Sequence, residues 1–168
     1  MRIPINFKKW LDDNRETLKP PVCNQVVWKN TEFIIMVVGG PNSRKDYHVD
    51  VSEELFYQIK GNMLLKIIEN GTSKDIKISE GELFLLPPRV PHSPQRFKDT
   101  IGIVIERTRN KGELDGFQWY CDECNALLYE EYLPLTDIVK QLPPIFEGFW
   151  NNDAVRTCKS CSDYLEKP

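Results

Sequence analysis

Between residues 54 and 86 the side chains alternate with a period of two, and turn dipeptides cut the run at short intervals. Glu54, Phe56 and Gln58 share one face of their stretch; Leu55, Tyr57 and Ile59 share the other. Residues 63–68 and 76–86 are similarly rich in strand-forming types. Gly61-Asn62, Asn70-Gly71, Glu80-Gly81 and Pro87-Pro88 punctuate the runs. Short strands at this spacing predict a small antiparallel barrel or sandwich, in which alternate side chains point inward.

A carboxylate on an inward face is costly unless something cationic meets it. Glu54 stands at such a position, and the chain's two histidines, His48 and His92, flank this strand-rich region. A lone histidine is as readily structural as ligating. Two imidazoles and one carboxylate, however, form the donor set of a mononuclear non-haem iron(II) site with open positions for substrate and oxygen.

The spacing carries a resemblance. His48, Glu54 and Gly61 follow one half of the cupin pattern, a histidine and then Glu-x6-Gly. Gly81, Pro87 and His92 follow the other half. That spacing selects Glu54 over Glu53 and implies a jelly-roll (double-stranded β-helix) barrel. The chain departs twice: Asp50 stands where a second histidine is common, and Arg89 where a glycine is usual. The first departure reduces a four-ligand site to His48, Glu54 and His92.

Longer strings are more specific. Residues 37–42 (Val-Val-Gly-Gly-Pro-Asn), Arg44, Asp46-Tyr47-His48, Glu53-Glu54, Phe56-Tyr57-Gln58, Leu85-Leu86-Pro87 and residues 91–96 (Pro-His-Ser-Pro-Gln-Arg) resemble the 3-hydroxyanthranilate 3,4-dioxygenase family, from about Ile5 to the last cysteine. The resemblance implies O2-dependent ring opening of 3-hydroxyanthranilate to 2-amino-3-carboxymuconate 6-semialdehyde, a step toward quinolinate and NAD. It implies Fe(II) on His48, Glu54 and His92. Arg96 and Glu106 would lie near the substrate carboxylate, Arg44 near the oxygen side, and Asn24 elsewhere in the pocket. It also suggests a homodimer. Arginines four residues from each histidine, Arg44 and Arg96, suit a carboxylated substrate, because guanidinium pairs with carboxylate through two hydrogen bonds.

Four of five cysteines form two Cys-x2-Cys pairs, Cys121/Cys124 and Cys158/Cys161, separated by 33 residues. Two such pairs predict a tetrahedral four-thiolate site for zinc or iron, of the zinc-ribbon or rubredoxin type. Cys23 is left as a free, partly buried thiol. The domain reading is therefore a cupin barrel with an N-terminal helix over residues 1–120 and a metal-stapled segment over 121–168. That segment has four Lys/Arg against nine Asp/Glu, a net charge of -5, which disfavours a nucleic-acid partner.

The remaining elements are local. Residues 6–18 read as an amphipathic helix capped by Asn6 and stopped by Pro20-Pro21; residues 25–28, 33–38 and 101–107 read as strands. Residues 136–142 and 145–150 read as two helices split by Pro143-Pro144. No apolar run approaches the ~20 residues that span a bilayer, and no signal-peptide core is present, so the expected location is the cytoplasm. A net charge of -3 gives no general attraction to anionic lipid. Two rivals are a Zn or Mn cupin isomerase or sugar binder, and a small-molecule-sensing regulator with a zinc-ribbon tail.

Overall fold

Two antiparallel sheets face each other in the computed structural model, which describes residues 3–20 and 23–168. Among the described residues eleven strands follow one another in order. The first sheet holds β1 (Asn24–Val26), β2 (Phe33–Gly39), β9 (Ile101–Arg107), β4 (Glu54–Lys60) and β7 (Leu83–Leu86), in that order. The second runs β11 (Leu127–Leu133), β10 (Asp115–Tyr120), β3 (Asp46–Val49), β8 (His92–Arg96), β5 (Met63–Glu69) and β6 (Thr72–Ile78). This is the all-β architecture expected from the alternation.

The turns close where residues tolerate positive φ. Asn70 and Gly71, with φ of 52° and 74°, make the tight β5–β6 hairpin. Arg89, the residue in the glycine position, keeps the glycine-like conformation at φ 64° and donates its N–H to the Asp50 carbonyl at 2.7 Å.

The inner faces fill unevenly. Phe56, Met63, Leu65, Ile67, Ile78, Leu86 and Val104 make one packed cluster. A second joins Phe117, Trp119, Ile145, Phe149 and Leu165, with Trp119 and Phe149 stacked at 4.5 Å. Between these clusters the interior is polar.

Two sequence expectations need correction. Helix α1 spans Phe7–Asp13 with Asn6 as its cap, and it stops before residue 18 because the Asn14 side chain takes the Trp10 carbonyl at 2.8 Å. Pro21, half of the expected stop, lies outside the described residues. The β-rich stretch 76–86 divides into β6 and β7 at the Glu80-Gly81 turn signal, where Ser79 N–H donates to Glu82 at 2.7 Å. The two tail helices are one, α2 (Ile138–Trp150), running through Pro143 and Pro144. Each proline removes a helical hydrogen bond. Burial of Ile145 and Phe149 against Trp119 outweighs that local loss. A short α3 (Asp153–Arg156) follows.

The tail is tied to the barrel: β11 pairs with β10 from Asp115↔Leu133 to Tyr120↔Leu127. No helix among the described residues is long and apolar enough to cross a membrane.

Candidate metal centre and substrate cavity

Register brings the two histidines together. β3 and β8 pair with His48 directly opposite His92, and the rings lie 5.2 Å apart. Glu54 comes from the other sheet, at the start of β4 and opposite Glu106 on β9. One ligand atom from each of His48, Glu54 and His92 lies within 4.8 Å of the others.

Their hydrogen bonding shows what they lack. His92 Nδ1 faces the Val90 carbonyl at 3.0 Å, so the ring proton belongs there. Its Nε2 is 2.8 Å from Glu54 Oε2, a fully buried oxygen with no aligned hydrogen-bond donor. In the neutral ring two lone pairs then face one another, and a cation between them resolves the conflict. Burial alone would raise the Glu54 pKa, but His92 and then His48 hold it below the ordinary value. Burial likewise opposes charge on His92, yet Glu54 lifts its pKa. This donor set fits a divalent metal with N and O preference.

A cavity of about 360 Å³ opens onto the three donors. Ligand pockets run from roughly 300 to 1,000 Å³. Asn24, Arg44, Arg96 and Glu106 all line it, as do Met36, Val38 and Val104. Arg44 pairs with Asp46 through its Nε at 3.1 Å and also through Nη2. Burial opposes its charge, but Asp46 holds its pKa above the usual value.

Arg96 is different. It is 4% exposed, and its Nη1 donates to Gln58 Oε1 at 3.3 Å. Among the described residues no carboxylate lies within ion-pairing distance of its guanidinium. Burial lowers its pKa to about 10. Gly102 makes its position possible, since a Cβ there would lie 2.4 Å from Gln58 Oε1 and 2.6 Å from Arg96 Nη1. Glu106 shares the inward face of β9 with Val104, and burial followed by the nearby Glu54 raises its pKa to about 8.

Several groups in or behind the cavity wall had no assigned role in the sequence. Arg109, after β9, and Asp115, opening β10, form a buried ion pair beside His48. Asp115 shares parity with Phe117 and Trp119, so an acid heading an inward apolar row was the available signal. Asp50, in place of a second histidine, is buried, accepts from Ser52 N–H at 2.8 Å and lies 3.1 Å from Arg109. Leu135, Leu142 and Phe146 of the tail close the cavity wall.

The cysteines form a second centre. All four sulfurs lie within 4.8 Å of one another, with Cys121–Cys161 and Cys124–Cys158 at 3.5 Å. A disulfide would need ~2.05 Å, whereas tetrahedral thiolates around a metal at ~2.3 Å sit near this separation. Backbone N–H groups, that of Cys161 foremost, bring the Cys158 thiol down to about 6. Cys23 stands apart, half-buried, with its sulfur 3.7 Å from the Pro41 carbonyl.

The fold is that of a cupin, with a cavity that opens onto a His-Glu-His group able to hold a metal. A cupin-2 domain protein from Shewanella frigidimarina superposes with a TM-score of 0.50 at 17% identity, covering 62% of this chain and 94% of that one. A protein from Neisseria meningitidis gives 0.51 at 19%, covering 63% and 100%. Residues 1–150 match the family model described as 3-hydroxyanthranilic acid dioxygenase, and the chain belongs to that family. A relative from Xanthomonas oryzae, named 3-hydroxyanthranilate 3,4-dioxygenase, is 52% identical over 98% of this chain and 93% of its own. One of the same name from Bacillus cereus is 50% identical over 96% and 90%.

Proposed function

We infer that the chain performs the reaction for which its relatives are named, opening the ring of 3-hydroxyanthranilate with O2 to give 2-amino-3-carboxymuconate 6-semialdehyde, with Fe(II) held by His48, Glu54 and His92. The observation that carries this is Arg96, a buried guanidinium lining the donors' cavity with no carboxylate among the described residues within ion-pairing distance. A buried unpaired cation is costly, and a substrate carboxylate is the partner that it fits. Family membership disfavours the isomerase, sugar-binding and regulator alternatives.

Iron(II) in a three-donor site supplies open coordination positions and a route for electrons between an aromatic chelator and dioxygen. The chain supplies the rest. Arg96 anchors the carboxylate and so fixes which ring edge faces the donors. Arg44, oriented by Asp46, adds positive charge on another wall. Met36, Val38, Val104 and Phe117 exclude water from the reacting face. Glu106, whose pKa is raised to about 8 in the metal-free chain by burial and then by Glu54, is placed to exchange a proton with the substrate's hydroxyl or amino group. The deciding experiment loads metal-free protein with Fe(II) anaerobically, adds 3-hydroxyanthranilate, and records oxygen uptake on admitting air. No uptake overturns the reading.

Two further parts belong to it. Segment 121–168 is a region stapled by zinc or iron at the four thiolates, contributing cavity wall through Leu142 and Phe146. The outer face of the first sheet supports a homodimer. There Leu85 opposes Leu55, Leu55 opposes Ile105, and Leu83 opposes Tyr57, with Leu83 66% and Leu85 52% exposed. Contiguous apolar surface of this kind marks an interface.

A further inference from the structure

His48 is held from behind. Its Nε2 lies 2.8 Å from Asp115 Oδ1, and Asp115 is 1% exposed. An ionised carboxylate accepts hydrogen bonds and donates none, so Nε2 must carry the proton and Nδ1 keeps the free lone pair. Phe117, opposite His48 on β10, stacks on the imidazole at 5.3 Å with planes 22° apart, fixing the plane of the ring.

Asp115 is itself fixed by Arg109. The guanidinium grips it through Nε, 3.0 Å from both oxygens, and Nη2, 2.5 Å from Oδ1. The same Nη2 is 3.1 Å from Glu106 Oε2 and 3.1 Å from Asp50 Oδ2, while Nη1 donates to the Arg107 carbonyl at 3.2 Å. Two buried carboxylates, the half-buried Glu106 carboxyl group and a carbonyl thus orient one side chain. Its planar fork is needed for this, because lysine offers a single point charge.

We propose that Arg109 and Asp115 are positioning residues: together they set the tautomer and ring orientation of His48, so that Nδ1 is the nitrogen presented to the metal. The inference rests on the His48-Glu54-His92 reading above. Negative charge delivered to Nε2–H makes the other nitrogen a better donor, and such partners of ligating histidines are worth ~10–100-fold in metal affinity. Arg109 adds a link of its own, since one guanidinium ties the His48 support to Glu106 on the substrate side.

The test uses the full chain with its four-thiolate site filled. Only two histidines are present, so nitrogen-15 histidine labelling gives two rings to assign. In protein lacking metal at the barrel, His48 should show the Nε2–H tautomer, and Asp115→Asn should shift it toward Nδ1–H. Co(II) titration of the barrel site should weaken ~10–100-fold in Asp115→Asn and in Arg109→Lys, with the thiolate-site absorption unchanged. A wild-type His48 in the Nδ1–H form overturns the inference whether or not the variants fold. Variants that bind Co(II) as tightly as wild type overturn it too. A wild-type chain that takes up Co(II) only at the thiolates brings down the underlying site reading instead.

Discussion

His48 and His92 stand opposite each other on neighbouring antiparallel strands, their rings 5.2 Å apart and inclined by 64°. One rung of a sheet therefore carries two of the three donors, and their separation is set by strand spacing rather than by loop conformation. His48→Ala or His92→Ala should leave the sheets intact, remove metal from the barrel and abolish ring cleavage. Metal analysis of each purified variant should find only the thiolate-bound ion. A variant that still turns over 3-hydroxyanthranilate would exclude that histidine as a ligand.

Among the described residues no carboxylate lies within ion-pairing distance of buried Arg96, so removing it should not destabilise the protein as loss of one half of an ion pair would. Arg96→Met should keep or raise the melting temperature while KM for the carboxylated substrate rises, by an amount corresponding to about 2–5 kcal/mol for a buried charge contact. Thermal melts and steady-state kinetics on the same preparation separate the two effects.

Glu106 has a folded-state pKa of about 8 against an ordinary 4.5, raised first by burial and then by Glu54. The folded state therefore retains a proton that the unfolded chain has lost between these values. Its contribution is fully present below pH 4.5 and fades as pH rises toward 8. Glu106→Gln should remove that slope. Urea unfolding of metal-free protein and variant across this range, compared as a difference, isolates it from the other acids.

Helix α2 lies between the two cysteine pairs in sequence, and its Leu142 and Phe146 face the cavity. Removing the thiolate-bound metal should loosen both. Cys121→Ser should lower the melting temperature and also raise KM, since part of the substrate wall moves. A lower melting temperature with unchanged KM would limit the thiolates to holding the chain end.

Leu83→Lys with Leu85→Glu should give a monomer by light scattering, with the metal centre retained. Both side chains point away from the cavity, in register with Tyr57 and Leu55 on the outer face. An unchanged dimer would place the interface elsewhere.

The barrel was legible because alternation is a local property: Glu54, Phe56 and Gln58 had to share a face, and all three are buried. The His-Glu-His set was read from its resemblance to the cupin pattern, and the β3–β8 register together with the start of β4 brings those three side chains near one another. Helix α2 was misread since Pro143-Pro144 is a strong local stop, while the packing of Phe149 on Trp119 joins residues thirty positions apart. Arg109 left no pattern, and Asp115 left only its place at the head of the Phe117 and Trp119 row. The His48–Asp115 contact spans 67 positions, and neither residue stands in a periodic run of charges.

Glu54 belongs to one sheet and the two histidines to the other. An ion gripped by all three would therefore rivet the halves of the barrel together, and part of its binding energy would resist their separation. The same metal that readies the chamber for its reagents would then also make the scaffold harder to pry open, so chelation should be felt as softening well beyond the chamber itself.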